Sequence, residues 1–317
     1  MSETSSTAWQ SRFDLWHAQV QEIIATVDSG ASIATGPATQ ALTPPSGAAA
    51  APPTKVLFCA PHPDDECLSG ALALRLRMDS GASVTNIAIT LGSDLGQRAR
   101  RLAELQSACR ALGFALVVPI EPATGLPSGF DHLEPERRQT HPAEWQAQVN
   151  ELALIFKREK PDLILAPHVQ DFNTTHVATH MLVTDAMTEY LERSGIPSLP
   201  LVETEFWHQI ERPNLMVGLT PAIAAMQIVA AAEHGGEMSR NPYHVLHTCR
   251  LMDNVRRGSE VVFGQGAAAQ PFKLAELYNV RVRKGRQWLP TPPGQAIAPE
   301  QPVSVAWIQR HYVFPGA

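Results

Sequence analysis

The heptapeptide Ala60-Pro61-His62-Pro63-Asp64-Asp65-Glu66 sets one imidazole and three carboxyls within five positions, directly after the apolar run Val56 to Ala60. Ionisable groups this dense behind a greasy strand are costly to bury unless they bind something. The turn that follows a strand is also where α/β sheets place their sites. Pro61 and Pro63 stiffen that turn. A helix N-cap would account for Asp64 or Asp65, but not for all four groups. A second apolar run, Leu163-Ile164-Leu165, also ends in Ala-Pro-His and is followed by Asp171, Asn173, His176 and His180. In a parallel sheet both runs finish on the same edge, so these histidines can approach His62 and Asp65. One His and one Asp from the first turn plus one His from the second make a three-ligand N/N/O shell, which leaves zinc a position for water.

The elements that must position these groups read as short apolar runs separated by helical patterns. The runs lie at 56–60, 84–90, 115–119 and 163–166, and the helices at 68–78, 99–112, 143–158 and 176–192. Strands without polar alternation, separated by helices, predict a parallel sheet covered on both faces. The fold class is therefore α/β, a Rossmann-like, doubly wound, mostly parallel sheet. No G-x-G-x-x-G follows the first strand, so the nucleotide-binding version of this plan has no support. Weaker strand patterns at 201–206 and 214–218 and a helix at 221–233 extend the same domain. At the start, Trp9, Phe13, Trp16, Val20, Ile24 and Val27 mark one apolar stripe on a helix over 9–28. That face is expected to be buried, either on the main domain or in a dimer contact. The chain thus divides into an N-terminal helix plus an Ala/Pro-rich linker (1–53), a catalytic domain (54–290) and a Pro-rich tail packing on it (291–317).

Composition narrows the partners. With 317 residues, 44% apolar and 18% charged, the chain can bury a core. A formal charge of −6 provides no basic field for nucleic acid. Cys59, Cys67, Cys109 and Cys249 are widely spaced, which favours free thiols. No apolar run approaches a membrane span and the first ten residues lack a signal-peptide pattern, so a cytoplasmic location is expected.

On the motifs quoted above, the chain resembles the PIG-L/LmbE-like family of zinc-dependent N-acetylglucosamine deacetylases. The family signature is commonly written A-H-P-D-D-E; here Pro61 is an additional residue after the alanine. A second signature, H-x-D-H in many members, is matched in part by Asn173-Thr174-Thr175-His176. The resemblance covers about residues 55–250 and includes Arg101-x-x-Glu104. It implies that His62, Asp65 and His176 bind one zinc ion, with Fe2+ or Co2+ as alternatives, and that Asp64 is the general base. Asn173 stands where many relatives have a histidine that assists the tetrahedral intermediate; an amide can donate a hydrogen bond there but cannot protonate the leaving amine. Asp64 once protonated, His168 and His234 are the candidates for that step. Arg98 is a candidate for binding substrate, whereas Arg101 is read as a surface partner of Glu104, and His180 as a packing residue. The activity implied is hydrolysis of an N-acetyl group on a small amino sugar or sugar conjugate, with a homo-oligomer among the allowed assembly states. A non-catalytic, metal-stabilised ligand-binding member of the same fold is the alternative.

Overall fold

The computed structural model describes residues 3–30, 33, 52–120 and 125–313, so most of the expected linker lies outside the described residues. Helix α1 (Glu3–Gly30) precedes the sheet. The expected apolar runs form strands β1 (Lys55–Ala60), β2 (Ser83–Ala88), β3 (Ala115–Val117), β4 (Leu163–Pro167) and β5 (Leu199–Thr204), paired in parallel in the order β3-β2-β1-β4-β5. Between them lie α2 (Asp65–Leu68), α3 (Ala71–Ser80), α4 (Arg98–Leu112), α5 (Arg137–Thr140), α6 (Pro142–Glu159) and α7 (Thr174–Ser194). Side chains of β1 alternate between two cores: Val56 and Phe58 pack with α3 and α4, Leu57 and Cys59 with α6 and α7. Covering both faces is what removed the polar alternation from the sequence.

The helix expected over 68–78 is two helices, broken at Ser69-Gly70. A Cβ at Gly70 would sit 2.1 Å from the Glu66 carbonyl oxygen, so only glycine lets the chain turn here. In the second half, β6 (Leu215–Gly218), α8 (Pro221–Ala232), α9 (Gly235–Arg240), α10 (Tyr243–Phe263), β7 (Ala275–Lys284), β8 (Gln287–Trp288), β9 (Gln295–Ile297) and α11 (Val305–Ile308), continued by a π-helical turn over Gln309–Val313, complete the described chain. β7 inserts antiparallel between β5 and β6, so the sheet is mostly but not wholly parallel. Val303, Val305, Ile308 and Tyr312 are buried against the domain.

The apolar stripe of α1 does not pack on the domain along its length. Trp16 is 70% exposed and Ile24 54%, because α8 and α10 offer only a groove lined by Val229, Val245 and Met252 that the last turns of the helix reach. The Trp9 side chain lies outside the described residues.

After β5, Glu205 begins the loop that carries Phe206 and Trp207. Its carboxylate is buried, accepting from Arg257 Nη2 (2.7 Å to Oε1) and from the Ile210 N–H (2.7 Å). Removing one partner of such a pair leaves an uncompensated buried charge. Arg257→Leu is therefore expected to lower stability by about 3–5 kcal/mol. The Glu205→Gln/Arg257→Leu double variant should recover part of that loss, as measured by denaturant unfolding followed by circular dichroism.

Candidate metal centre and its cavity

β1 and β4 are neighbours in the sheet, with Phe58 opposite Leu165, while β2 lies on the far side of β1. The strand order therefore reverses at this pair, and the crevice at its C-terminal edge is the switch point where such sheets bind ligands. His62, Asp64 and Asp65 leave β1 there, and His168, Asp171, Asn173 and His176 leave β4.

The turn brings three donor atoms together. His62 Nδ1 lies 3.3 Å from His176 Nε2 and 3.7 Å from Asp65 Oδ2, and His176 Nε2 lies 3.4 Å from Asp65 Oδ2. Ligands about 2.1 Å from a tetrahedral centre are separated by about 3.4 Å, so the three spacings suit one cation held by two imidazoles and a carboxylate. Asp65 Oδ1, the carboxylate oxygen outside these spacings, is buried without a hydrogen-bond partner, so the carboxylate as a whole keeps unused accepting capacity beside the place for a cation. Burial would favour neutral His176, but the Asp65 and Asp171 carboxylates outweigh it and hold the imidazole pKa above its usual value. A cation therefore competes with a proton at His176.

Asp171 is the residue whose role the sequence reading missed. Its Oδ2 faces His176 Nδ1 at 3.5 Å and accepts the Trp207 N–H (3.3 Å), while Oδ1 accepts the Asn173 N–H (2.9 Å). A carboxylate behind the distal nitrogen of a metal-binding histidine fixes its tautomer and ring orientation. The spacing of Asp171 from His176 was the available signal.

Asp64 is buried but stays outside the donor trio and lines a cavity of about 450 Å³, together with His62, Arg101, Asn173, Phe206 and Trp207. Burial, then repulsion from Asp65 and Glu66, raises its carboxyl well above the usual carboxylate range, with Arg101 opposing. The Asn173 side chain caps α7, its Oδ1 accepting from Thr175 N (2.9 Å) and His176 N (3.4 Å).

Several expected residues fall elsewhere. Arg101 does not pair with Glu104: Arg100 takes Glu104 at the i, i+4 spacing (2.6 Å). Arg101 instead turns into the cavity, with Nε 3.5 Å from Glu237 Oε1. Gly92 makes room for it, since a Cβ there would meet Arg101 Nη1 at 1.9 Å, and its φ of +90° suits glycine. Arg98 lines an adjoining cavity of about 390 Å³, ion-paired with Asp131. His168 Nε2 donates to the His208 carbonyl (2.9 Å), His180 Nδ1 to that of Pro167 (3.0 Å). His234 is fully buried, bonded to Glu66, and does not line the cavity. The aromatic pair Phe206-Trp207 also escaped notice, although it follows a strand that ends on the same edge.

Asp171→Asn should preserve packing while weakening the orientation of His176. A loss of 10–100-fold in cation affinity is expected, measured by competition with a chromophoric chelator; unchanged affinity would remove Asp171 from the centre.

Residues 57–187 match the family model described as PIG-L: GlcNAc-PI de-N-acetylase. A 1D-myo-inositol 2-acetamido-2-deoxy-alpha-D-glucopyranoside deacetylase of Mycobacterium leprae is 29% identical over 162 residues, covering 45% of this chain and 53% of that protein. The chain thus spans about half the length of the curated relatives it matches. Among solved structures, GalB, the 4-carboxy-2-hydroxymuconate hydratase of Pseudomonas putida KT2440, aligns with a TM-score of 0.53 at 15% identity over 72% of this chain and 95% of its own. The zinc-inhibited form of teicoplanin deacetylase Orf2 aligns with a TM-score of 0.50 at 15% identity over 73% and 98%. These two share the fold. The sequence match lies across both turns that build the donor trio, so residues 57–187 of this chain are similar to the PIG-L family.

Proposed function

We propose that this chain is a zinc-dependent hydrolase that removes an N-acetyl group from an amino sugar or sugar conjugate, carried by residues 54–290. The observation that carries the reading is a buried carboxylate, Asp64, beside three donor atoms spaced for one cation but not part of that trio. A purely structural metal site needs no such group, which weighs against a non-catalytic scaffold. The fold alone does not choose the chemistry, since one neighbour is a hydratase. The family match and the acetamido-sugar deacetylase relative support amide hydrolysis.

His62, Asp65 and His176 would hold the zinc, which when bound polarises the acyl carbonyl and acidifies a coordinated water. Asp64 accepts a proton as water adds to the acyl carbon, for which a raised carboxyl pKa is suited. It then returns that proton to the amine nitrogen as the C–N bond breaks. Asn173 uses Oδ1 for the helix cap, which leaves its Nδ2 free to donate to the acyl oxygen as that atom gains negative charge. Phe206, Trp207 and Tyr243 supply apolar surface for a sugar ring, and Glu237 and Arg240 supply polar partners for its hydroxyls.

Acetate release from a panel of N-acetylated amino sugars should be abolished by chelator and restored by Zn2+; a metal-loaded enzyme that releases none would sink the proposal. Asp64→Asn should keep the cation and lose roughly 10²–10⁴-fold in turnover. Asn173→Ser, which retains a capping oxygen, should lose about 10²-fold without moving the pH profile, because an amide has no titrating proton. Full turnover in Asn173→Ser would place Asn173 outside the reaction.

A further inference from the structure

Asp64 adopts φ +124° and ψ −26°, a conformation that residues other than glycine rarely hold. Such a residue costs about 1–3 kcal/mol and persists only where its surroundings over-determine it. The restraint is visible in the hydrogen bonds. Glu66 Oε2 reaches back to accept the Asp64 N–H (3.0 Å), closing a ring of covalent and hydrogen bonds that contains φ and ψ of Asp64. That bond restrains both dihedrals.

Glu66 is itself 1% exposed, and a buried carboxylate needs donors to stay in place. His234 Nε2 donates to its Oε1 at 2.7 Å, and the Cys67 thiol donates to the same oxygen at 3.2 Å. His234 comes from the far half of the chain, at the junction of α8 and α9, and its carbonyl accepts the N–H of Glu237, a cavity-lining residue (3.0 Å). One side chain therefore ties the cavity wall to the turn that aims Asp64. Glu66, Cys67 and His234 also form a set of metal-ligating types. Their contacts of 2.7 Å and 3.2 Å are those of shared protons, however, and the first is well below the roughly 3.4 Å that separates tetrahedral ligands.

We propose that His234 is a positioning residue that, through Glu66, locks Asp64 at positive φ and so keeps its carboxylate in the cavity while Asp65 faces the metal trio. This rests on the reading of Asp64 as the general base. His234 touches neither substrate nor cation; it acts on where Asp64 points. Misplacing a reacting group by about 1 Å can cost 10²-fold.

The test combines turnover with a measurement that needs no substrate. His234→Leu should lower kcat about 10²-fold while KM stays within about threefold and the cation remains at one per chain. His234→Gln, whose Nε2 can still donate to Glu66, should recover to within about tenfold of wild type. Because the two residues act in series, His234→Leu/Glu66→Gln should lose no more than the worse single variant. Independently, the Asp64 amide, read by NMR on protein labelled with ¹⁵N-aspartate, should be protected from hydrogen exchange in wild type and His234→Gln and exchange faster in His234→Leu. Multiplicative losses in the double variant, an Asp64 amide indifferent to His234, or a second cation lost in His234→Leu would each overturn the proposal. If protection depends on His234 but wild type releases no acetate, the deacetylase reading fails and the anchoring of Asp64 stands. If His234→Leu does not fold, the His234→Gln exchange rate and the Glu66→Gln kcat decide the matter.

Discussion

Two consecutive carboxylates serve two different places, and the reversal of the backbone at Asp64 makes this geometrically available. Asp65 must turn toward His62 and His176, where its Oδ2 also accepts the His62 N–H (2.9 Å). Asp64 must face the cavity. The positive φ separates them, and the carbonyl of Asp64 is kept in place by the N–H groups of Cys67 (3.0 Å) and Leu68 (3.1 Å). Strain at one residue is thus offset by a set of local bonds, none of which involves solvent-exposed groups.

The short helix α2 that follows cannot be stable by itself, since one turn of helix repays little of its nucleation cost. Its support comes from distant segments. Gln227 of α8 donates to the Cys67 carbonyl (2.9 Å) and Arg250 of α10 to that of Leu68 (2.8 Å). At the start of α3, Glu276 and Tyr278 of β7 accept the N–H groups of Ala71 (3.2 Å) and Leu72 (2.9 Å). Tyr278 also donates to Glu276, whose carboxyl burial pushes above its ordinary range. These bonds are buried, that of Arg250 only in part, and a buried hydrogen bond is stronger than one in water. The second half of the chain therefore acts as a mould for the turn that carries His62, Asp64 and Asp65 in the first.

The same edge also carries the aromatic wall of the cavity. Phe206 stacks on His176 with ring centroids 5.7 Å apart, so the loop after β5 covers the metal trio on one side. The buried pair of Glu205 and Arg257 fastens that loop. A fold shared by a hydratase and a deacetylase offers the crevice; the side chains delivered to it carry the chemistry.

The chain's own order of residues determined the parallel core and the nearness of the three candidate donors. Runs such as Leu163-Ile164-Leu165 lack polar alternation because both faces are covered, and His62, Asp65 and His176 follow strands whose ends must share an edge. It did not reveal Arg101 as a cavity residue, because a helical i, i+3 spacing to Glu104 reads the same whether or not Arg100 has claimed that partner. The burial of the α1 stripe was expected on the ground that apolar faces seek cover, yet only its last turns find a groove. The antiparallel insertion of β7 depends on its pairing with β5, as between Thr204 and Tyr278, and the support at the start of α3 on a hydrogen bond between residues 206 apart, Leu72 and Tyr278. Local propensity carries no record of such contacts. For the same reason only the tertiary structure decided where His234 points: its type and helix-end position allowed a place in the cavity, and the packing of α8 against α2 and α4 turned it to Glu66 instead.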